Sequence, residues 1–143
     1  QNGKINEKIS RSKKNRQLMT VKKDRGKISI TNYKTIKIFQ NTNLPKISHI
    51  ECNLETGRTH QIRVHMSFKG NPIVGDKSYG KLRRKFKKID KNLEKKINDF
   101  NRQALHAKSL GFIHPVTKKE VFFKSRRPKD FDELIKNLNK TSV

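Results

Sequence analysis

Between Gly57 and Met66 the chain reads Gly-Arg-Thr-His-Gln-Ile-Arg-Val-His-Met. Arg58, His60, Arg63 and His65 are gathered at a glycine turn, beside the apolar Ile62, Val64 and Met66. Guanidinium and imidazole groups concentrated this way suit an anion, either a phosphate or a carboxylate that must stay ionised away from water. Other chemistries are poorly served. His60 and His65 miss by one residue the i,i+4 register that sets two ligands on one helical face, and no third ligand is near, so no metal is expected. His106 and His114 read as strand-end and turn residues, and no Ser/His/Asp arrangement supports nucleophilic catalysis. Cys52 is the only cysteine, which excludes a disulfide framework and a cysteine-rich zinc site; in an alternating run it reads as a small buried hydrophobe.

The elements that position this stretch follow from pattern. Thr59 is the expected N-cap of a short helix in which Ile62, Met66 and Phe68/Lys69 recur at helical spacing, until Gly70 and Pro72 stop it. Its N-terminal amides favour an anion near Thr59 or His60. Ile62 and Arg63 are adjacent and so project about 100° apart, letting one pack while the other reaches a site. Upstream, strands are expected over 28–39 and 46–55, joined as a hairpin through the loop 41–45. Downstream, Ile89, Leu93, Ile97 and Phe100 form the stripe of a helix over 89–100. Strands over 104–113 and 120–124 flank a turn at 114–117, and Asp130 caps a last helix through Leu138.

Composition bounds the rest. At 143 residues the chain is about one domain long, but 31% is hydrophobic and 34% charged, so the core should be small. Lysine and arginine outnumber aspartate and glutamate 36 to 12, a net charge of +24. A polyanion such as RNA or DNA would relieve that self-repulsion, although a lysine-rich source would also produce a lysine-rich surface. Residues 1–27, sparse in apolar groups and with basic clusters at 11–16 and 22–27, read as a basic arm or an RNA-contacting loop. No apolar run reaches the length of a membrane span or signal peptide, so a cytoplasmic protein without a membrane partner is expected.

The order of residues over 54–80, Leu-Glu-Thr-Gly-Arg-Thr-His-Gln-Ile-Arg-Val-His followed by Gly-Asn-Pro-Ile-Val-Gly-Asp and Tyr-Gly, closely resembles a motif of the RluA-type RNA pseudouridine synthases. Leu105-His-Ala, the His114-Pro-Val-Thr turn and Pro128-Lys-Asp-Phe131 resemble the family's later blocks. The resemblance implies an α+β fold, a mixed and largely antiparallel sheet with flanking helices and an RNA-binding cleft. The reaction implied is isomerisation of uridine to pseudouridine without a cofactor. It also marks Arg63 as the ion-pair partner of a catalytic aspartate, Ile62 as a lining of the base pocket, and Asp76 as structural. A surface arginine bound only to phosphate, and a plain core role for Ile62, are the bland alternatives. Arg58, Thr59 and His60, and the basic run Arg83, Arg84 and Lys85, are candidate RNA contacts; Arg58 and His60 serve equally as braces of the turn.

The family's H-R-L-D-x-x-T-S-G segment, with its catalytic aspartate, and its K-x-Y-x-A strand do not occur in these residues. The chain therefore reads as residues 28–143 of a catalytic domain's C-terminal half, preceded by the arm, with RNA (ribosomal or transfer) and a missing N-terminal half as partners. The alternative is a non-catalytic basic RNA-binding protein that keeps part of the synthase fold. A ribosomal or DNA-compacting protein fits the charge but leaves the motif unexplained. From charge alone, the logarithm of RNA affinity should fall linearly with the logarithm of salt concentration, at about −0.7 per phosphate contacted on single strands. Filter binding from low to moderate salt checks this; a flat dependence would contradict it.

Overall fold

A computed structural model of the chain describes residues 2–41, 44–80 and 91–141. Strands β1 (Asn2–Arg11), β2 (Met19–Val21), β3 (Lys27–Asn41) and β4 (Leu44–Leu54) form an antiparallel sheet in the order β2-β1-β3-β4. Helix α1 (Gln61–Phe68) follows, then α2 (Lys91–Asn98), a separate hairpin of β5 (Ser109–Ile113) and β6 (Glu120–Lys124), and the final helix α3 (Lys129–Thr141). The α+β class and its antiparallel character are as the sequence implies.

The segment expected as a basic arm is instead part of the sheet. β1 pairs with β3 from Asn2↔Lys34 to Ile9↔Lys27, and with β2 through Ile9↔Val21. Ile5 and Ile9 are both buried among exposed or half-buried residues, so two well-placed isoleucines suffice to seat a strand that is otherwise polar. The turns between β1 and β2 and between β2 and β3 keep the character of exposed basic loops; in the first, the Arg11 guanidinium donates to the Arg16 carbonyl.

β3 spans nearly the predicted range, but short polar residues rather than its isoleucines occupy its buried side. Ser29 and Thr31 are fully buried, whereas Ile28, Ile36 and Ile38 are exposed. α1 decides this, because it lies over the Ser29/Thr31 face and satisfies Thr31 by hydrogen bonds. A register shift between Thr35 and Lys37 then leaves Phe39 facing α3. α1 is likewise rotated from expectation: Gln61, Val64 and His65 lie at i, i+3 and i+4 and are buried with Met66, while Phe68 is exposed. Its N-cap is His60, in the left-handed region at φ 55° and without a side-chain cap bond, not Thr59.

Phe39, Leu93, Ile97, Phe100, Leu134 and Leu138 form a contiguous core between β3, α2 and α3, with Val74 and Ala104 against it. The stripe on α2 thus packs as its spacing requires; Ile89 lies outside the described residues, as do Arg83, Arg84 and Lys85. Asp130 lies inside the first turn of α3, accepting from the Phe131 amide and pairing with Arg102, so it braces the helix rather than capping it. β5 begins at Ser109, with residues 104–108 running ahead of it as irregular chain. Leu138→Ala should destabilise the chain by about 3 kcal/mol, the scale of a leucine removed from a tight core. Urea unfolding checks it against Val116→Ala, an exposed site where a change within about 0.5 kcal/mol is expected.

Candidate functional site

Gln61 ties the start of α1 to the sheet. Its Oε1 accepts from the Thr56 hydroxyl at 2.8 Å and the Arg58 amide at 3.0 Å, and its Nε2 donates to the Ile30 carbonyl at 2.9 Å and Thr31 Oγ1 at 3.0 Å. Every strong hydrogen-bonding position of a buried amide is used, which fixes its orientation. Thr31 Oγ1, accepting from Gln61, is also hydrogen-bonded to His65 Nδ1 at 2.9 Å. His65 Nε2 is buried, lies towards the Glu7 backbone and has no hydrogen-bond partner among the described residues. Burial holds His65 below the ordinary histidine range, with the Glu7 charge opposing, so the ring is neutral at pH 7.

With α1 anchored, Arg63 is set on the flank adjoining the Gly70–Gly80 loop. Its Nε donates to Asp76 Oδ2 and its Nη2 to Asp76 Oδ1, both at 2.8 Å. The Asp76 side chain is entirely out of solvent and that of Arg63 is 13% exposed. Asp76 Oδ1 also accepts from the amides of Ser78 at 3.0 Å and Tyr79 at 3.1 Å. Burial alone would raise the Asp76 pKa, but the Arg63 hydrogen bonds and charge and the two amides outweigh it and hold the carboxyl below its ordinary value. Gly75 makes this approach possible. It adopts φ 76°, and a Cβ there would stand 2.1 Å from the Arg102 carbonyl oxygen, so no other residue fits the turn.

Tyr79 closes the cluster. The Arg63 guanidinium carbon lies 4.8 Å from its ring centroid. Its hydroxyl accepts from the Met19 amide at 2.8 Å and lies 2.8 Å from His60 Nδ1, with the two rings edge to face at 5.6 Å. Ser67 Oγ donates to the Tyr79 carbonyl. The hydroxyl, accepting from Met19, can also give its proton to His60 Nδ1 when that nitrogen is unprotonated. Burial and the Arg63 charge lower the His60 pKa, consistent with a neutral ring. His60 is thereby a brace.

The structure thus brings Ile62, Arg63 and His60 together on and before α1, with Ile62 half-buried and outside the main core. Arg58 and Thr59 are exposed beside them; Arg58 contributes its amide to Gln61 and a long contact of 3.4 Å from Nε to the Ile28 carbonyl. Residue-type reasoning missed the roles of Gln61 and Tyr79. Gln61 lies within His-Gln-Ile-Arg, and its identity as a two-way donor and acceptor was the available signal. Asp76, read as structural, is the carboxylate that Arg63 meets among the described residues, and Arg63 Nη1 is without a hydrogen-bond partner among them. Cys52, half-buried with its thiol pushed up to about 11 by burial and the Glu51 charge, is unreactive at neutral pH. Among the described residues no group of histidine, cysteine and carboxylate side chains is placed to hold a metal, and no helix is long and apolar enough to cross a membrane.

Residues 1–68 match the family model described as RNA pseudouridylate synthase. An uncharacterized RNA pseudouridine synthase, YlyB of Bacillus subtilis, is 46% identical over 138 residues, 96% of this chain and 39% of that protein. Ribosomal large subunit pseudouridine synthase D of Zymomonas mobilis is 43% identical over 137 residues, 95% of this chain and 40% of that protein. This chain belongs to the RNA pseudouridine synthase family. It spans about two fifths of the length of these relatives. The fold is also that of human RNA Pseudouridylate Synthase Domain Containing 1, with a TM-score of 0.66 at 23% identity over 98% of this chain and 60% of that one.

In this synthase segment Asp76→Asn should cost about 3 kcal/mol, since it leaves a partly buried guanidinium without its counter-charge. Because the folded Asp76 pKa lies below its ordinary value of 3.8, its contribution is fully present above that value and is lost as pH falls through the folded pKa. Urea midpoints of wild type and Asp76→Asn should therefore converge as pH is lowered from 6 into that acidic window.

Proposed function

We propose that this chain supplies the C-terminal part of the catalytic domain of an RNA pseudouridine synthase, acting in the cytoplasm on ribosomal RNA. In the reaction a uridine's glycosidic bond is broken and the base is reattached through carbon. The observation that carries this reading is the state of Arg63. Two of its nitrogens are clamped by Asp76 while Nη1 has no hydrogen-bond partner among the described residues, next to the Tyr79 ring. A guanidinium so fixed presents one donor and a retained positive charge to a second carboxylate, and such a partner keeps a buried catalytic aspartate ionised at neutral pH. That aspartate would come from the rest of the synthase, because no aspartate of this chain stands in the family's catalytic context. Ile62, adjoining Arg63, lines the base pocket. Arg58 and Thr59, exposed at the N-terminal end of α1, and the basic Arg83, Arg84 and Lys85 take phosphates, with His60 bracing the turn.

The ribosomal substrate is supported by the names of the relatives, several of which are ribosomal large subunit synthases at 38–44% identity. A net charge of +24 suits a folded polyanion. The chain incubated alone with ribosomal RNA should make no pseudouridine. Co-expressed with the complementary portion of a relative, it should make pseudouridine, and Arg63→Ala should lower the rate at least a hundredfold while RNA affinity stays within a few fold. Arg63→Lys, which keeps the charge but not the two-nitrogen clamp, separates loss of function from loss of fold. Full turnover by Arg63→Ala would remove the role given to Arg63; RNA binding without turnover by the wild-type pair would favour a non-catalytic RNA-binding protein.

A further inference from the structure

The β5–β6 hairpin has one wholly apolar side. Leu110 pairs with Phe123 and Phe112 with Val121, and residues opposite one another in an antiparallel pair share a face, so these four form one surface. The Phe112 and Phe123 rings stack across it at 6.2 Å with 26° between their planes. The opposite face carries Ser109, Gly111 and Ile113 against Lys124, Phe122 and Glu120. On the apolar side Leu110 is 60%, Phe112 42% and Phe123 57% exposed, so nothing among the described residues covers it. Within those residues the sheet has two strands, leaving both edges unpaired. A lone two-stranded hairpin is marginal in water, and three or more strands or a covering element are the usual remedy.

We propose that this face is the docking surface for the complementary portion of the synthase, the part of a full-length relative that lies outside this chain's match. The inference rests on the function proposed above and says where the two portions meet. Two observations choose the occupant. The matched relatives are more than twice as long as the stretch this chain covers, so most of such a protein remains to be placed against it. A second copy of this chain is disfavoured because each copy carries +24 and like charges oppose self-pairing. The hairpin base is tied to the main sheet by the Lys108–Glu51 ion pair at 2.6 Å, while the Ser125 amide donating to the Lys108 carbonyl closes the base itself. A partner strand or helix laid on Leu110, Phe112 and Phe123 would therefore be joined to the body that holds Arg63.

The test co-expresses the chain with the complementary portion of the Bacillus subtilis relative and measures their association directly, beside RNA affinity and pseudouridine formation. Replacing Leu110, Phe112 and Phe123 by threonine keeps strand propensity while removing the apolar surface. The triple variant should associate at least tenfold more weakly, with RNA affinity unchanged, while Ile113→Thr on the opposite face leaves association intact. In the wild type, β5 and β6 amides should gain hydrogen-exchange protection in the complex. Association insensitive to the triple variant, or no association at micromolar concentration, overturns the proposal. So does a wild-type homodimer lost in the variant, which would make a second copy the occupant, or loss of RNA affinity with association intact, which would make the face a base-stacking platform. Hairpin-dependent association without pseudouridine supports the docking surface while removing the proposed activity.

Discussion

The bidentate pair between Arg63 and Asp76 is the interaction on which the rest of the site depends. Two unit charges about 4 Å apart attract by about 4 kcal/mol at an effective dielectric of 20. Desolvation of each ion costs several kcal/mol, so such a pair adds little net stability. What it contributes is geometry. Asp76 Oδ1 gathers Nη2 of Arg63 and the amides of Ser78 and Tyr79, so the guanidinium and the turn that follows it are set by one oxygen atom. Tyr79 then reaches His60 before α1, Met19 on β2 and, through its carbonyl, Ser67 on α1. Three separated segments are positioned from one carboxylate.

The same preference for specification over bulk burial governs the contact of α1 with the sheet. Val64 and Met66 supply apolar burial, but the orientation of the helix is set by Gln61, Thr31 and His65, a chain of hydrogen bonds with little tolerance for a shift of register. A polar interface of this kind is costly when incomplete, and the unpartnered Nε2 of His65 is its one open end. Because its folded pKa is lowered, the buried His65 disfavours the folded state progressively as pH falls below its ordinary value of 6.5. The hydrophobic core proper is elsewhere, between β3, α2 and α3, so the rigid body and the site are built by different means.

Much of this was legible in the residues. The class of fold, the hairpin of β3 and β4, the stripe on α2, and the short helix with Ile62 and Arg63 at its start follow from hydrophobic period, glycine and proline punctuation, and the resemblance carried by residues 54–80. Local pattern fell short where burial depended on a partner distant in sequence. The isoleucines of β3 lie outward and Ser29 and Thr31 inward because α1 brings the hydrogen-bonding groups that make a polar face cheap to bury. β1 looked too basic to belong to a sheet, yet its backbone is paired with β3 over its whole inner length, and Ile5 and Ile9 are sufficient to seat it.

By itself the sequence determined which chemistry was available: basic groups at a turn, an intact motif, and a charge suited to a polyanion, since residue type and spacing are local properties of the chain. Tertiary structure alone decided the pairing. Asp76 could be placed in a loop by its motif, but that its carboxylate closes on Arg63, and that Tyr79 spans His60 and Met19, depends on how the Gly70–Gly80 loop folds back over α1. A contact between residues far apart in the chain has no period or cap to announce it; it exists only when packing has brought them within hydrogen-bonding distance.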